Sequence, residues 1–104
     1  MRVIEAKMIA AVLTGSNMKS SNTEVVTRTR EDGARVTTVY LHGGMIAQNG
    51  TIAGWGFRLA GWNTPTTRSR INALRSALEI PGRVHCVQGA PMLDGKPVSA
   101  VDWF

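Results

Sequence analysis

The residue types able to do chemistry crowd into one stretch, Trp62-Asn63-Thr64-Pro65-Thr66-Thr67-Arg68-Ser69-Arg70, which runs on through Ile71 and Leu74 to Arg75. It reads as the start of a helix: a polar cap at Asn63 or Thr64, proline at the first helical position, then an apolar stripe. Such an N-terminus presents unpaired backbone N–H groups and partial positive charge. Thr64, Thr66, Thr67, Arg68 and Arg70 beside it would suit a phosphate or a carboxylate. Arg75 follows on the same helix and Arg58 lies just upstream. Trp62 either stacks on a base or packs as an N-terminal staple. A second basic group, Arg28, Arg30 and Arg35, flanks a turn signal at Asp32-Gly33.

The distribution of charge supports an anionic partner. Seven acids and twelve bases give a net +5, and nine of the bases are arginine, the type suited to bidentate phosphate or carboxylate contacts. No acid occurs between Asp32 and Glu79, yet Arg35, Arg58, Arg68, Arg70 and Arg75 all lie in that segment. A DNA-mimicking role is disfavoured, because a mimic must be acidic. The plainer alternative is a solvated basic surface that aids solubility.

Other chemistries are thinly represented. His42, His85, Cys86, Asp94 and Asp102 are the metal-ligand candidates, and no pair has a recognised spacing. On an alternating strand His85 and Cys86 point to opposite faces. Cys86 reads as a small core residue and His42 as a core-edge histidine. No glycine-flanked nucleophile elbow and no Walker-type loop occurs, and the acid-free middle removes most general acid/base options. The expectation is a binding protein without metal or other cofactor, and not an enzyme.

The elements that would position these residues follow from periodicity. Residues 3–14 form an amphipathic helix with Ile4, Met8, Ala11 and Val12 on one side and Gly15 as its stop. Gly15 to Asn22 is a polar loop. Thr23 to Arg30 is β-branched and alternating, and closing a two-residue turn at Asp32-Gly33 sets Arg30 opposite Arg35 and Val25 opposite Tyr40. A second signal at Asn49-Gly50 pairs Ile46 with Ala53, Gly44 with Trp55 and His42 with Phe57. One sheet face then collects Val25, Val36, Tyr40, Ile46, Trp55, Phe57 and Leu59, with His42 among them. The other carries Val26, Val39, Leu41, Met45 and Ile52 with Arg28, Arg30, Arg35 and Arg58. It calls for a cover, either the N-terminal helix or a partner.

The main helix runs from Pro65 to about Glu79 with Thr67, Ile71, Leu74 and Leu78 as its buried stripe. Arg68, Asn72, Arg75 and Glu79 lie on the far side. Arg70 falls at the stripe's edge, either snorkelling across small neighbours or aimed at something specific. Pro81-Gly82 ends the helix. Arg83 to Gln88 and a hairpin at Asp94-Gly95 follow, and Trp103-Phe104 tucks against the body. The fold class is α+β: antiparallel hairpins in a meander packed against one main helix, with a short N-terminal helix and a C-terminal hairpin, in one domain over 1–104.

Leu41-His42-Gly43 with Ile46-Ala47, then Gly61-Trp62-Asn63-Thr64-Pro65-Thr66-Thr67-Arg68-Ser69-Arg70-Ile71-Asn72-Ala73-Leu74, then Asp94-Gly95-Lys96-Pro97 with Trp103, resembles a group of small uncharacterised bacteriophage proteins. The resemblance covers roughly Asn22 onward and transfers no active site. It implies a phage accessory protein in the infected bacterial cytoplasm, a setting that the single cysteine and the lack of a roughly 20-residue apolar span suit. Nucleic acid is the first expected partner and a host or anti-phage defence protein the alternative. No membrane contact is expected, and both a monomer and a homodimer fit.

Overall fold

The computed structural model describes residues 2–51 and 54–104. A helix α1 (Val3–Thr14) leads into a five-stranded antiparallel meander in the order β1 (Met18–Ser20), β2 (Thr23–Thr29), β3 (Arg35–Leu41), β4 (Gly44–Thr51) and β5 (Gly54–Phe57). Helix α2 (Pro65–Ala77) follows, then a three-stranded sheet of β6 (Val84–Val87), β7 (Ala90–Leu93) and β8 (Lys96–Pro97). The α+β class and its arrangement are as expected, with one addition. The polar loop before Asn22 contains a strand, β1, which pairs Met18 with Val25 and Ser20 with Thr23 across a turn at Ser21-Asn22.

Helix α1 ends where glycine permits it, with Gly15 left-handed at φ 69°. Helix α2 begins at Thr64, whose hydroxyl accepts from the Thr67 backbone N–H at 3.2 Å, with Pro65 in the first turn. Both helices lie on one face of the meander. Met8, Ala11 and Val12 of α1 and Ile71 and Leu74 of α2 join Val25, Val39, Leu41, Ile46, Ala47, Phe57 and Leu59 in the core.

The first hairpin differs from the expected register by one residue. Thr29 pairs with Arg35, Arg28 with Val36 and Val25 with Val39. The turn holds three residues, because the Arg30 N–H donates to the Ala34 carbonyl at 2.7 Å and Gly33 is left-handed at φ 85°. Asp32 fixes that form by accepting from the Ala34 N–H at 2.9 Å. A one-residue slip exchanges faces, so Val39 and Leu41 are core while Val36 and Tyr40 lie half-buried on the opposite face. The Arg30–Arg35 opposition is therefore absent.

The second hairpin also departs from expectation. Strand β4 runs straight through Asn49-Gly50 and pairs Ala47 with Phe57 and Gln48 with Gly56. Asn49 serves the sheet instead of turning it: its side-chain oxygen accepts from the Thr37 N–H at 2.7 Å. The expected pairing of Ile46 with Ala53, and the place of Ile52, lie outside the described residues. An irregularity between Val39 and Tyr40 puts one extra residue into β4, so neighbouring Ile46 and Ala47 are both buried, at 1% and 0% exposure.

The far face of the meander, with half-buried Val26, Val36, Tyr40 and Met45, is not covered by α1, which packs with α2 on the other side. Of the closing pair expected to tuck in, Phe104 does so, whereas Trp103 stays 41% exposed. Phe104 packs against the core and exchanges two main-chain hydrogen bonds with Phe57, at 2.7 and 3.2 Å.

Candidate functional site

Helix α2 delivers the predicted stretch to the surface, but the side chains part company there. Trp62 is 61% exposed, so it is no buried staple. It lines a cleft of about 400 Å³ together with Leu41, His42, Ile46, Leu59, Ala60, Thr64, Thr66 and Thr67. The β4 irregularity places Ile46 here, and two turns form the rim. His42-Gly43 joins β3 to β4 with φ of 52° and 78°, and Ala60-Gly61 precedes Trp62 with φ of 54° and 83°. A non-glycine residue pays a steric cost in that region, so both rims are held by their surroundings. His42 donates its N–H to the Asn22 carbonyl at 2.8 Å and Gly61 donates to that of Ala100 at 2.7 Å.

The threonines are mostly occupied in building the helix start. Thr64 and Thr67 hydroxyls lie 2.9 Å apart and satisfy each other beneath the first turn, with Thr67 only 1% exposed. Asn63 turns away to the second sheet, donating to the Gly89 carbonyl at 3.2 Å. Arg68 sits on the other side of the turn, where one of its nitrogens donates to the Asn63 carbonyl at 3.1 Å and to the Asn63 side chain at 2.5 Å. Beyond it lies a polar groove of about 550 Å³ lined by Arg68, Ser69, Asn72, Ser76 and Arg83, among others.

Two arginines of the acid-free segment, Arg70 and Arg75, face inward. Arg70 is 3% exposed and donates to Glu5 at 2.7 Å and to the Thr23 hydroxyl at 3.2 Å. Ser69 donates to the same Glu5 oxygen at 2.5 Å. Burial alone pushes the Glu5 carboxyl up, but Ser69, Arg70 and the charge of Arg2 together hold it below its ordinary value. Arg70 was expected at an anion site without an acid to pair with; its acid comes from 65 residues earlier in the chain.

Arg75 was expected on the far side of α2. It is instead 7% exposed, bonded to the carbonyls of Pro81 and Gly82, with its guanidinium carbon 5.1 Å from the Phe57 ring centroid. Burial lowers its pKa, and the charge of Asp94 opposes that shift. Arg58 donates to the Met45 carbonyl at 2.8 Å and lies 4.8 Å from the Trp103 ring centroid.

The second basic group disperses. Arg28 is on the far sheet face, opposite Val36, and Arg30 lies 3.8 Å from Asp32 at the exposed tip. Arg35 pairs with Thr29, and one of its terminal nitrogens lies 3.3 Å from where a Cβ on Gly15 would stand, at the carbonyl end of α1. His42 and Cys86, expected at or near the core, are both exposed. The lining of the Trp62 cleft by Leu41, Ile46, Leu59 and Ala60 was not anticipated. Its signal was the shared apolar character of those residues, visible only once the register is known.

Four of the large exposed apolar residues come from segments bonded to this region: Trp62 at 61%, Val87 at 47%, Val101 at 61% and Trp103 at 41%. The ties are Gly61 to Ala100, Asn63 to Gly89, and Arg58 against Trp103. Among the described residues no cluster of three or more His, Cys, Asp or Glu could hold a metal ion, and no helix is long and apolar enough to cross a membrane.

The whole chain, residues 1–104, matches the family described as Kyanoviridae Gp96 protein. It belongs to that family and is a small phage protein. No curated protein and no solved structure gives a match.

Proposed function

We propose that this phage protein works by binding, not by catalysis, and that its contact is the surface around Trp62. The partner that suits this surface best is a host or anti-phage defence protein. The observation carrying this reading is the exposed indole beside an apolar cleft of about 400 Å³ whose lining contains no lysine or arginine. Exposed tryptophan next to a concave apolar surface is the usual anatomy of a protein-interface anchor. The arginines that argued for an anion are largely engaged: Arg70 with Glu5, Arg75 and Arg58 with main-chain carbonyls.

The test is affinity capture from infected cells with the wild type and with Trp62→Ala, which removes an exposed side chain. A protein should be retained at about 0.5 M salt, where the Debye length has fallen to ~4 Å, and lost with Trp62→Ala. Recovery of nucleic acid and ribosomes alone would count against the reading.

Nucleic acid is the second reading, favoured by the groove that carries Arg68 and Arg83 on the opposite side of the first turn of α2. A single strand would stack a base on Trp62 and lay its backbone toward those two cations. With about two phosphates neutralised, log affinity should fall with log salt at a slope of about −1.4. Arg68→Ala with Arg83→Ala should abolish that slope. No binding to single strands at low salt would remove this reading.

A further inference from the structure

We infer that the face of the meander turned away from both helices is a platform for single-stranded nucleic acid. The strand registers assemble it row by row. One row runs Lys19, Glu24, Tyr40 and Met45 across β1 to β4. Arg58 extends that row by donating to the Met45 carbonyl at 2.8 Å, and Trp103 ends it, its ring centroid 4.8 Å from the guanidinium carbon. The neighbouring row sets Val26 beside Thr38 and Thr38 beside Gln48, whose amide donates to the Thr38 hydroxyl at 3.1 Å. Arg28 follows Val26 on the same side of β2.

Charge decides which partner suits this face. Lys19, Arg28 and Arg58 stand there against Glu24, and among the described residues none of the four is in an ion pair. A second copy laid face to face would double that surplus across a two-fold axis, so the complement is an anion and not this chain itself. Tyr40 is half-buried and Trp103 is 41% exposed, so both offer ring surface on which unpaired bases stack. The Arg58 guanidinium covers one face of the Trp103 ring, and a base takes the other. A duplex does not fit. Its major groove, about 12 Å wide, admits a two-stranded ribbon, whereas a five-stranded sheet at about 4.8 Å per strand spans roughly 19 Å. This surface is independent of the Trp62 cleft, which is lined from the core side and α2, and of the groove that carries Arg68 and Arg83.

The probes are a short fluorescein-labelled oligouridylate and its deoxy counterpart, titrated against the full chain by anisotropy. Wild type should bind at low salt, with log affinity falling against log salt at a slope of about −2.1 for about three phosphates neutralised. Tyr40→Ala and Trp103→Ala should each weaken binding by about tenfold. Lys19→Ala with Arg28→Ala, which changes two exposed cations, should cut the slope to about −0.7. Trp62→Ala should leave the affinity unchanged, as should Arg68→Ala with Arg83→Ala, which separates this face from the two sites on the helix side. Tighter binding of one probe supports the platform and assigns it to RNA or to DNA. No binding to either probe, or loss only with the Arg68 and Arg83 variant, overturns the inference. Amide shifts on the wild type give a check that needs no variant: Thr38 and Gln48 should move on adding probe while Ser76 does not, and the opposite pattern overturns it.

Discussion

Arg70 holds its charge where water scarcely reaches, and everything around it is arranged to make that tolerable. Glu5 supplies the countercharge, Ser69 and Thr23 take up hydrogen-bonding capacity, and no buried side-chain nitrogen or oxygen among the described residues is left without a partner. Such a pair contributes little net stability over an apolar replacement, yet breaking it leaves an uncompensated buried charge. Glu5→Ala should therefore destabilise by about 3–5 kcal/mol in denaturant titration, while Glu5→Leu with Arg70→Met should recover most of that loss. Neither role was legible from sequence. Glu5, expected off the apolar stripe of α1, is buried along it with Met8, Ala11 and Val12, and Arg70 was judged by the acids near it in the chain. Electrostatic partners are set by packing, and a helix 65 residues upstream is as near as any neighbour once the sheet has folded. The cap at Thr64 was legible, because capping is a local bond between residues three apart.

Elements were legible in existence and less so in alignment. The helices fell where a stop glycine and a proline start marked them, and Asp94-Gly95 makes the expected two-residue turn with φ of 49° and 81°. Asp32-Gly33 and Asn49-Gly50 carry the same kind of signal and do something else. In the first, the aspartate side chain stabilises a three-residue loop; in the second, the asparagine side chain substitutes for backbone inside a strand. Side-chain bonds of that kind compete with turn preference by about 1 kcal/mol, which is enough to move a register. Asn72 makes bonds of the same kind from helix α2, and they tie that helix to the second sheet. Its amide donates to the Val84 carbonyl at 2.8 Å and accepts from the Val84 N–H at 2.7 Å. Asn72→Leu should leave the meander intact and loosen β6 and β7, read as faster amide exchange across 84–93 with little change at Val25 or Val39.

At the scale of the molecule, a surplus of positive charge turns out to be partly architectural. Arg58, Arg68 and Arg75 bond to carbonyl oxygens, which neutralise dipoles and leave the net charge untouched. Composition therefore overstated how much cation was available to a partner. The α+β class was readable because it rests on periodicity, whereas the Trp62 cleft needed three segments to be aligned first. The same interior has a pH consequence. Glu5 titrates below its ordinary value in the folded chain, so its contribution is present above the unfolded value of about 4.3 and lost as pH falls through the folded one. Urea midpoints taken from pH 7 down to 3 should drop in that acid range. The Glu5→Leu, Arg70→Met variant should lack this part of the drop.

The Glu5–Arg70 bond also sets an order of events in time. The chain is synthesised from its N-terminus, so Glu5 exists long before Arg70 does. Until α2 is in place, seating α1 on the sheet would strand a carboxylate in an apolar setting, at a cost of several kcal/mol. The meander, built from neighbouring hairpins, has no such wait. Helix α1 should accordingly be the first element made and among the last to dock. Pulse-labelled exchange during refolding checks this: protection in β2 and β3 should precede protection at Met8 and Val12, and the reverse order would refute it.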